Sequence, residues 1–196
     1  MARTGAPTTR TRSAVEETGP PAWRKALVPG LIGLAVVAGG TALVMLDPPL
    51  PGEEYVSMGN AHLASIDEPH EAYNSKPGSS GPHFGSLAGW EVHETPVPEE
   101  LFIHNLEDRG VVLAYNCPDG CPDLADGLAE IYAEERGNIL VTPFEGEIAD
   151  KAGTKYRAAA VAWARVYHFD ELNDETIGEI KAFILAFEGI DHHVGN

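Results

Sequence analysis

The sequence predicts one α/β or α+β domain, a mixed β-sheet with two helices, preceded by one transmembrane helix and a loop-rich segment. Three observations support this fold class. Residues 26–46 are a stretch of 21 residues without a charged side chain. Residues 55–100 are rich in turn-forming residues and lack a regular apolar pattern. From residue 101 onward, short apolar runs alternate with segments of helical periodicity, as in layered domains.

The N-terminal part of the chain is predicted to anchor the domain in a membrane. Residues 1–25 read as a disordered basic tail, and residues 26–46 are long enough to cross a bilayer as a helix. The basic tail places the N-terminus in the cytoplasm. Residues 47–54 form a proline-rich spacer, and residues 55–196 form the extracytoplasmic globular domain. A cleaved signal peptide is the alternative, although MLDPPLP fits a cleavage site poorly.

The charge of the chain restricts its partners. The net charge is −17, which repels nucleic acid and predicts no binding to it. We interpret the excess of acidic residues as a solvated surface. The expected partners are the lipid bilayer, through residues 26–46, and other proteins of a membrane complex. No phosphate loop, dinucleotide fingerprint or hydrolase triad spacing is present, so the sequence contains no complete catalytic constellation.

The first predicted elements of the domain are two strands and a helix. LFIHN, residues 101–105, predicts a short strand. VVLAY, residues 111–115, is a continuous apolar run and predicts a central buried strand. If residues 101–115 form a hairpin, His104 lies one strand away from the strand that leads to the cysteines. A helix is predicted over about 122–136, with apolar residues on one face and Gly137 as its end.

The remaining elements are two strands and a second helix. NILVTP predicts a strand, and residues 157–169 predict one long strand. Asn173 is predicted to cap a final helix that ends near Gly189. The predicted order is therefore β–β–α–β–β–α.

The two cysteines of the chain, Cys117 and Cys121, lie in the stretch YNCPDGCPDL between the buried strand and the first predicted helix. Pro118 and Pro122 disfavour helix at the residues before them, which keeps the loop irregular. Outside the cytoplasm, such a pair predicts a structural disulfide. A thiol at a helix N-terminus also has a lowered pKa, so thiol–disulfide exchange and Cu(I) binding remain alternatives. A strand, cysteine loop and helix in this order are typical of thioredoxin-like folds.

Several side chains are of the types that bind copper, which favours histidine, cysteine and methionine. The candidate metal ligands are His62, His83, His104, Cys117 and Cys121. The alternative is that these histidines are exposed or hydrogen-bonded residues of a loop-rich region. His192 and His193 lie at the end of the chain, and the sequence does not predict them as ligands.

One residue and two segments of the chain carry a family resemblance. They are His62, YNSKPGSSGPHF at 73–84, and PVPEELFIHNLEDRGVVLAYNCPDGC at 96–121. They resemble the bacterial and archaeal family known as domain of unknown function 3105, over roughly residues 60–190. The resemblance implies no established reaction. It implies that motif positions of the family are occupied by His62, His83, His104, Asn105 and Glu107. Asn105 and Glu107 are then structural motif residues.

One departure from the family pattern concerns the candidate site. Asp108 stands where the family usually has a histidine, which implies an altered or carboxylate-assisted metal site in this chain. The loop CPDGCPDL is also similar, over about ten residues, to the C-x-x-x-C-P loop of Sco-type copper-delivery proteins. That similarity implies a membrane-anchored thioredoxin-like domain.

Three functions follow from these observations. The first is a copper-binding domain on the outer face of the membrane. The second is a thiol–disulfide redox protein that uses Cys117 and Cys121. The third is a non-catalytic accessory subunit with a structural disulfide.

Overall fold

The computed structural model describes residues 49–193. The predicted cytoplasmic tail, the predicted span 26–46 and the start of the spacer lie outside the described residues. Between residues 49 and 193, no helix has both the length and the apolar character needed to cross a bilayer.

The described chain forms seven strands and three helices, where the sequence predicted two helices. The strands are β1 (Glu53–Glu54), β2 (His62–Leu63), β3 (His83–Phe84), β4 (Val111–Tyr115), β5 (Ile139–Pro143), β6 (Ala158–Ala162) and β7 (Arg165–Phe169). The helices are α1 (Glu99–Glu107), α2 (Pro122–Glu135) and α3 (Asp174–Phe187). The predicted loop-rich character of residues 55–100 is confirmed, because up to residue 98 this segment contains only the two short strands β2 and β3.

Five strands form one mixed sheet in the order β1-β7-β6-β4-β5. Strands β4 and β5 run parallel, and the other neighbouring pairs run antiparallel. The predicted mixed sheet is thus confirmed, with β4 at an interior position. The side chains of β4 alternate between two buried layers. Val111 and Leu113 pack against the face that carries α2 and α3. Val112 and Ala114 pack against the face that carries α1. Because both faces are covered, β4 is apolar throughout.

The predicted strand at 101–105 is wrong, because these residues form the middle of α1. Pro98 precedes this helix and two glutamates occupy its first turn, where acidic side chains favour a helix N-terminus. Its buried residues Phe102, Ile103 and Leu106 follow helical spacing. Residues 101–115 therefore do not form a hairpin. A short apolar run fits both periodicities, and the three apolar letters LFI alone do not separate them.

The single long strand predicted over 157–169 is also wrong. Residues 158–169 form the hairpin β6–β7, in which Ala162 pairs with Arg165. Trp163 and Ala164 make the turn, and Ala164 has a positive φ of 56°. Two-residue hairpin turns usually carry glycine or asparagine at positions of positive φ. An alanine there gives no turn signal, so the sequence pattern continues through the hairpin.

The two predicted helices are confirmed as α2 and α3. In α2 the apolar face buries Leu128 and Ile131. At the start of α3, the backbone N–H of Thr176 donates to Asn173 Oδ1 at 2.9 Å, as a capping asparagine requires. The buried stripe of α3 includes Ile180 and Ile184. Both helices therefore pack their predicted faces on one side of the sheet.

Candidate metal centre

Helix α1 supplies two side chains of the candidate site from its last turn. His104 and Glu107 are three residues apart, so they lie on one side of the helix. His104 Nδ1 is 3.4 Å from Glu107 Oε2. The sequence prediction placed His104 in a strand over 101–105, which does not include Glu107. The helical conformation is therefore what joins them.

Strands β2 and β3 supply two more side chains from the loop-rich segment. They pair in parallel, and His62 is the direct partner of His83. Backbone hydrogen bonds hold this register, since His83 N–H donates to Ala61 O and Gly81 N–H donates to Gly59 O, each at 3.0 Å. The centroids of the two imidazole rings are consequently only 4.9 Å apart.

The four side chains converge on one point. One ligand atom from each of His62, His83, His104 and Glu107 lies within 4.8 Å of the others. Glu107 Oε2 is 3.0 Å from His83 Nε2 and 3.5 Å from His62 Nε2. His83 Nε2 is also 3.1 Å from His104 Nδ1. Ligands of one tetrahedral ion with bonds near 2.1 Å are about 3.4 Å apart, which is close to these spacings.

The site is buried on one side and open on the other. The side chains of His83 and Glu107 are 0% and 1% exposed. His104 is 12% exposed, and His62 is 51% exposed. An ion in this site is thus accessible from the side of His62.

The hydrogen bonds of His83 determine where its lone pair points. Its Nδ1 is 2.8 Å from the carbonyl oxygen of Gly81, which can only accept, so Nδ1 carries the proton. A neutral His83 therefore directs the lone pair of Nε2 at Glu107 Oε2, 3.0 Å away. An imidazole lone pair and a carboxylate oxygen repel each other at this distance. A cation, either a proton or a metal ion, has to lie between them.

The environments of Glu107 and His104 shift the pKa values of both groups. Burial opposes ionisation of Glu107, but the hydrogen bond from Asn60 Nδ2 and the nearby histidines keep the pKa of its carboxyl below the usual value. That hydrogen bond is 2.7 Å long and ends on Oε1, which leaves Oε2 free. Burial lowers the pKa of the His104 imidazole, which favours its neutral form. His104 Nε2 lies 3.6 Å from Asp108 Oδ2, and Nδ1 faces the site.

The structure does not bring the two cysteines to this cluster. Cys117 and Cys121 are bonded to each other, with an S–S distance of 1.98 Å. They follow the C-terminal end of β4, whereas α1 precedes its N-terminal end. They pack on the face of the sheet that carries α2 and α3. The bonded sulfurs offer no thiolate to a metal ion.

Asn105 has a structural position beside the site. Its side chain is buried, and its amide makes two hydrogen bonds to the backbone of Ala88. Ala88 N–H donates to Asn105 Oδ1 at 2.9 Å, and Asn105 Nδ2 donates to Ala88 O at 3.1 Å. These bonds attach the loop that follows His83 to helix α1.

Sequence reasoning missed two features of the site. It assigned Glu107 a structural role, although Glu107 Oε2 lies near the ring nitrogens of all three histidines. It also excluded His193, whose Nε2 lies 3.7 Å from the same oxygen. The i, i+3 spacing of His104 and Glu107 was a usable signal for the first, given a helix. No local pattern indicates the second.

Comparison with known proteins places the chain in a family. No curated protein and no solved structure matches it. The sequence profile of the family described as "Protein of unknown function (DUF3105)" matches residues 67–190. The match includes His83, His104 and Glu107, and it leaves His62 and His193 outside. Since this region covers more than half of the sequence, the chain belongs to the DUF3105 family.

Proposed function

We propose that this domain binds one divalent transition-metal ion through His62, His83, His104 and Glu107. Three imidazoles and one carboxylate are a donor set that suits Zn²⁺, Cu²⁺, Ni²⁺ and Fe²⁺. The observation that carries the proposal is the convergence of the ring nitrogens of His62, His83 and His104 on Glu107 Oε2 in a largely buried site.

Copper remains the ion that we propose, now as Cu²⁺. The sequence hypothesis relied partly on thiolates, which favour Cu(I). Nitrogen and oxygen ligands favour the divalent ion, and Cu²⁺ forms the most stable complexes of the first-row divalent series. Zn²⁺ is the main competitor. We further propose that the domain lies on the outer face of a membrane, attached through residues 26–46.

Metal titration tests this proposal. The purified protein is stripped with a chelator, dialysed and titrated with Cu²⁺ or Zn²⁺, and bound metal is measured by elemental analysis. We expect one equivalent of metal per chain, with Cu²⁺ bound more tightly. His93→Ala serves as a matched control, because His93 Nε2 bonds to Gly89 O outside the site. A wild-type chain that retains no metal would overturn the proposal.

Thiol–disulfide exchange at Cys117 and Cys121 is a second candidate. Arg157 Nη2 lies 3.8 Å from Cys117 Sγ, and Cys121 occupies the N-cap position of α2. A guanidinium and a helix N-terminus both stabilise a thiolate. The order β5-β4-β6-β7, with α2 and α3 on one face, also supports the thioredoxin-like arrangement that the cysteine loop predicts.

The reduction potential of the disulfide tests the second candidate. The protein is equilibrated in dithiol redox buffers, and free thiols are counted after trapping. A redox function predicts a potential above about −300 mV. It also predicts a more negative potential in Arg157→Ala, because the thiolate loses a stabilising charge. A wild-type potential below that value would mark a structural bond, which is what a non-catalytic accessory subunit requires.

A further inference from the structure

The segment that follows α3 turns back over the end of α1. Gly189 N–H donates to Arg109 O at 2.8 Å, and His192 N–H donates to Glu107 O at 3.0 Å. Arg109 Nη2 also lies 2.8 Å from Asp191 Oδ2. These contacts hold residues 189–193, here called the C-terminal segment, beside the candidate metal centre.

Within this segment, the Nδ1 atom of His193 is surrounded by acceptors. It lies 3.0 Å from Asp191 Oδ1 and 3.2 Å from Asp108 Oδ1. Carboxylates only accept hydrogen bonds, so Nδ1 carries a proton. A histidine ligand of a metal ion typically donates its other ring nitrogen to a carboxylate or a carbonyl in this way.

The Nε2 atom of His193 is then the one directed at the site. It lies 3.7 Å from Glu107 Oε2, the oxygen near which the nitrogens of His62, His83 and His104 also lie. The ring centroids of His193 and His104 are 6.1 Å apart. His193 therefore repeats the arrangement of His83, with one nitrogen bonded to a fixed oxygen and the other facing a carboxylate.

We propose that His193 supplies a fourth imidazole to the metal ion and that the C-terminal segment closes the site. This inference rests on the proposed function. His193 is 44% exposed and is held by contacts near the surface, whereas His83 is buried. His62 is the other exposed ligand of the proposed site, at 51%. Exposed ligands dissociate more readily than buried ones, so loss of His193 should speed the release of metal.

The experiment compares the full chain, loaded with one equivalent of Cu²⁺, with two variants. In His193→Ala, we expect one bound Cu²⁺, a release to excess chelator that is about 10- to 100-fold faster, and an electron paramagnetic resonance spectrum with one fewer coordinating nitrogen. Added imidazole should restore the spectrum. His192→Ala is the matched control, because the His192 ring stacks on Trp163 and not on the site. Its spectrum should equal that of the wild type.

The outcomes separate the two proposals. A His193→Ala spectrum identical to that of the wild type would overturn ligation by His193 and leave the four-residue site intact. If both variants release Cu²⁺ faster by the same factor and their spectra are unchanged, the C-terminal segment only packs against the domain. That result would also overturn ligation by His193. A wild-type chain that binds no Cu²⁺ would overturn the site and the additional ligand together.

Discussion

Glu107→Gln is expected to remove most of the stabilisation that binding of the proposed metal ion would give to this domain. Glu107 Oε2 is the oxygen near which three imidazole nitrogens meet, and a neutral amide is a poor ligand. Loss of supporting contacts alone weakens metal sites by about 10- to 100-fold, so we expect loss of this ligand to cost at least 100-fold. At a metal concentration 1,000 times the wild-type Kd, the free energy of unfolding rises by about 4 kcal/mol in the wild type, but by about 1.4 kcal/mol or less in the variant.

Urea unfolding with and without Cu²⁺ measures this difference. Asn60→Ala is an intermediate variant, because it removes the hydrogen bond to Oε1 and keeps every ligand. His93→Ala should behave as the wild type. If Glu107 only forms a structural ion pair with His83, Glu107→Gln will lower stability by the same amount with and without metal. That result would contradict the metal site.

Gly110→Ala is expected to destabilise the domain by about 3 kcal/mol, through overpacking at the junction of α1 and β4. A Cβ atom at this position would lie 2.3 Å from Trp90 Cη2 and 2.6 Å from the backbone oxygen of Asn105. The backbone oxygen cannot move without displacing the last turns of α1, because Asn105 belongs to that helix. Gly110 N–H also donates to it at 2.8 Å. We expect metal affinity to fall as well, since that turn carries His104 and Glu107.

Gly178→Ala is the control for this prediction. Gly178 lies in α3, and a Cβ atom there would meet nothing within 4 Å. Alanine has the higher helix propensity, so this variant should be more stable by about 0.5–1 kcal/mol. Thermal unfolding of both variants checks the opposite signs. A Gly110→Ala protein as stable as the wild type would show that Trp90 and α1 adjust without cost.

The candidate site was only partly accessible from the sequence. His62, His83 and His104 were predicted as ligands from residue type and from the family resemblance, and the structure brings them together. Glu107 was not predicted as a ligand, because it is one of 30 acidic residues and ionised carboxylates are usually solvated. The cysteines were grouped with the histidines on residue type, although β4 separates the two sites along the chain.

The sequence by itself determined the elements whose pattern is local and long enough to be unambiguous. These include β4, an uninterrupted apolar strand, and α2 and α3, whose apolar residues recur at helical spacing. Asn173 also marks the start of α3. Tertiary structure decided the rest. The nine residues of α1 contain a short apolar run that fits both the helical and the strand periodicity. Only packing against the sheet selects the helix. The meeting of β2, β3, α1 and the C-terminal segment depends on contacts between residues distant in the chain, which leave no periodic trace in the sequence.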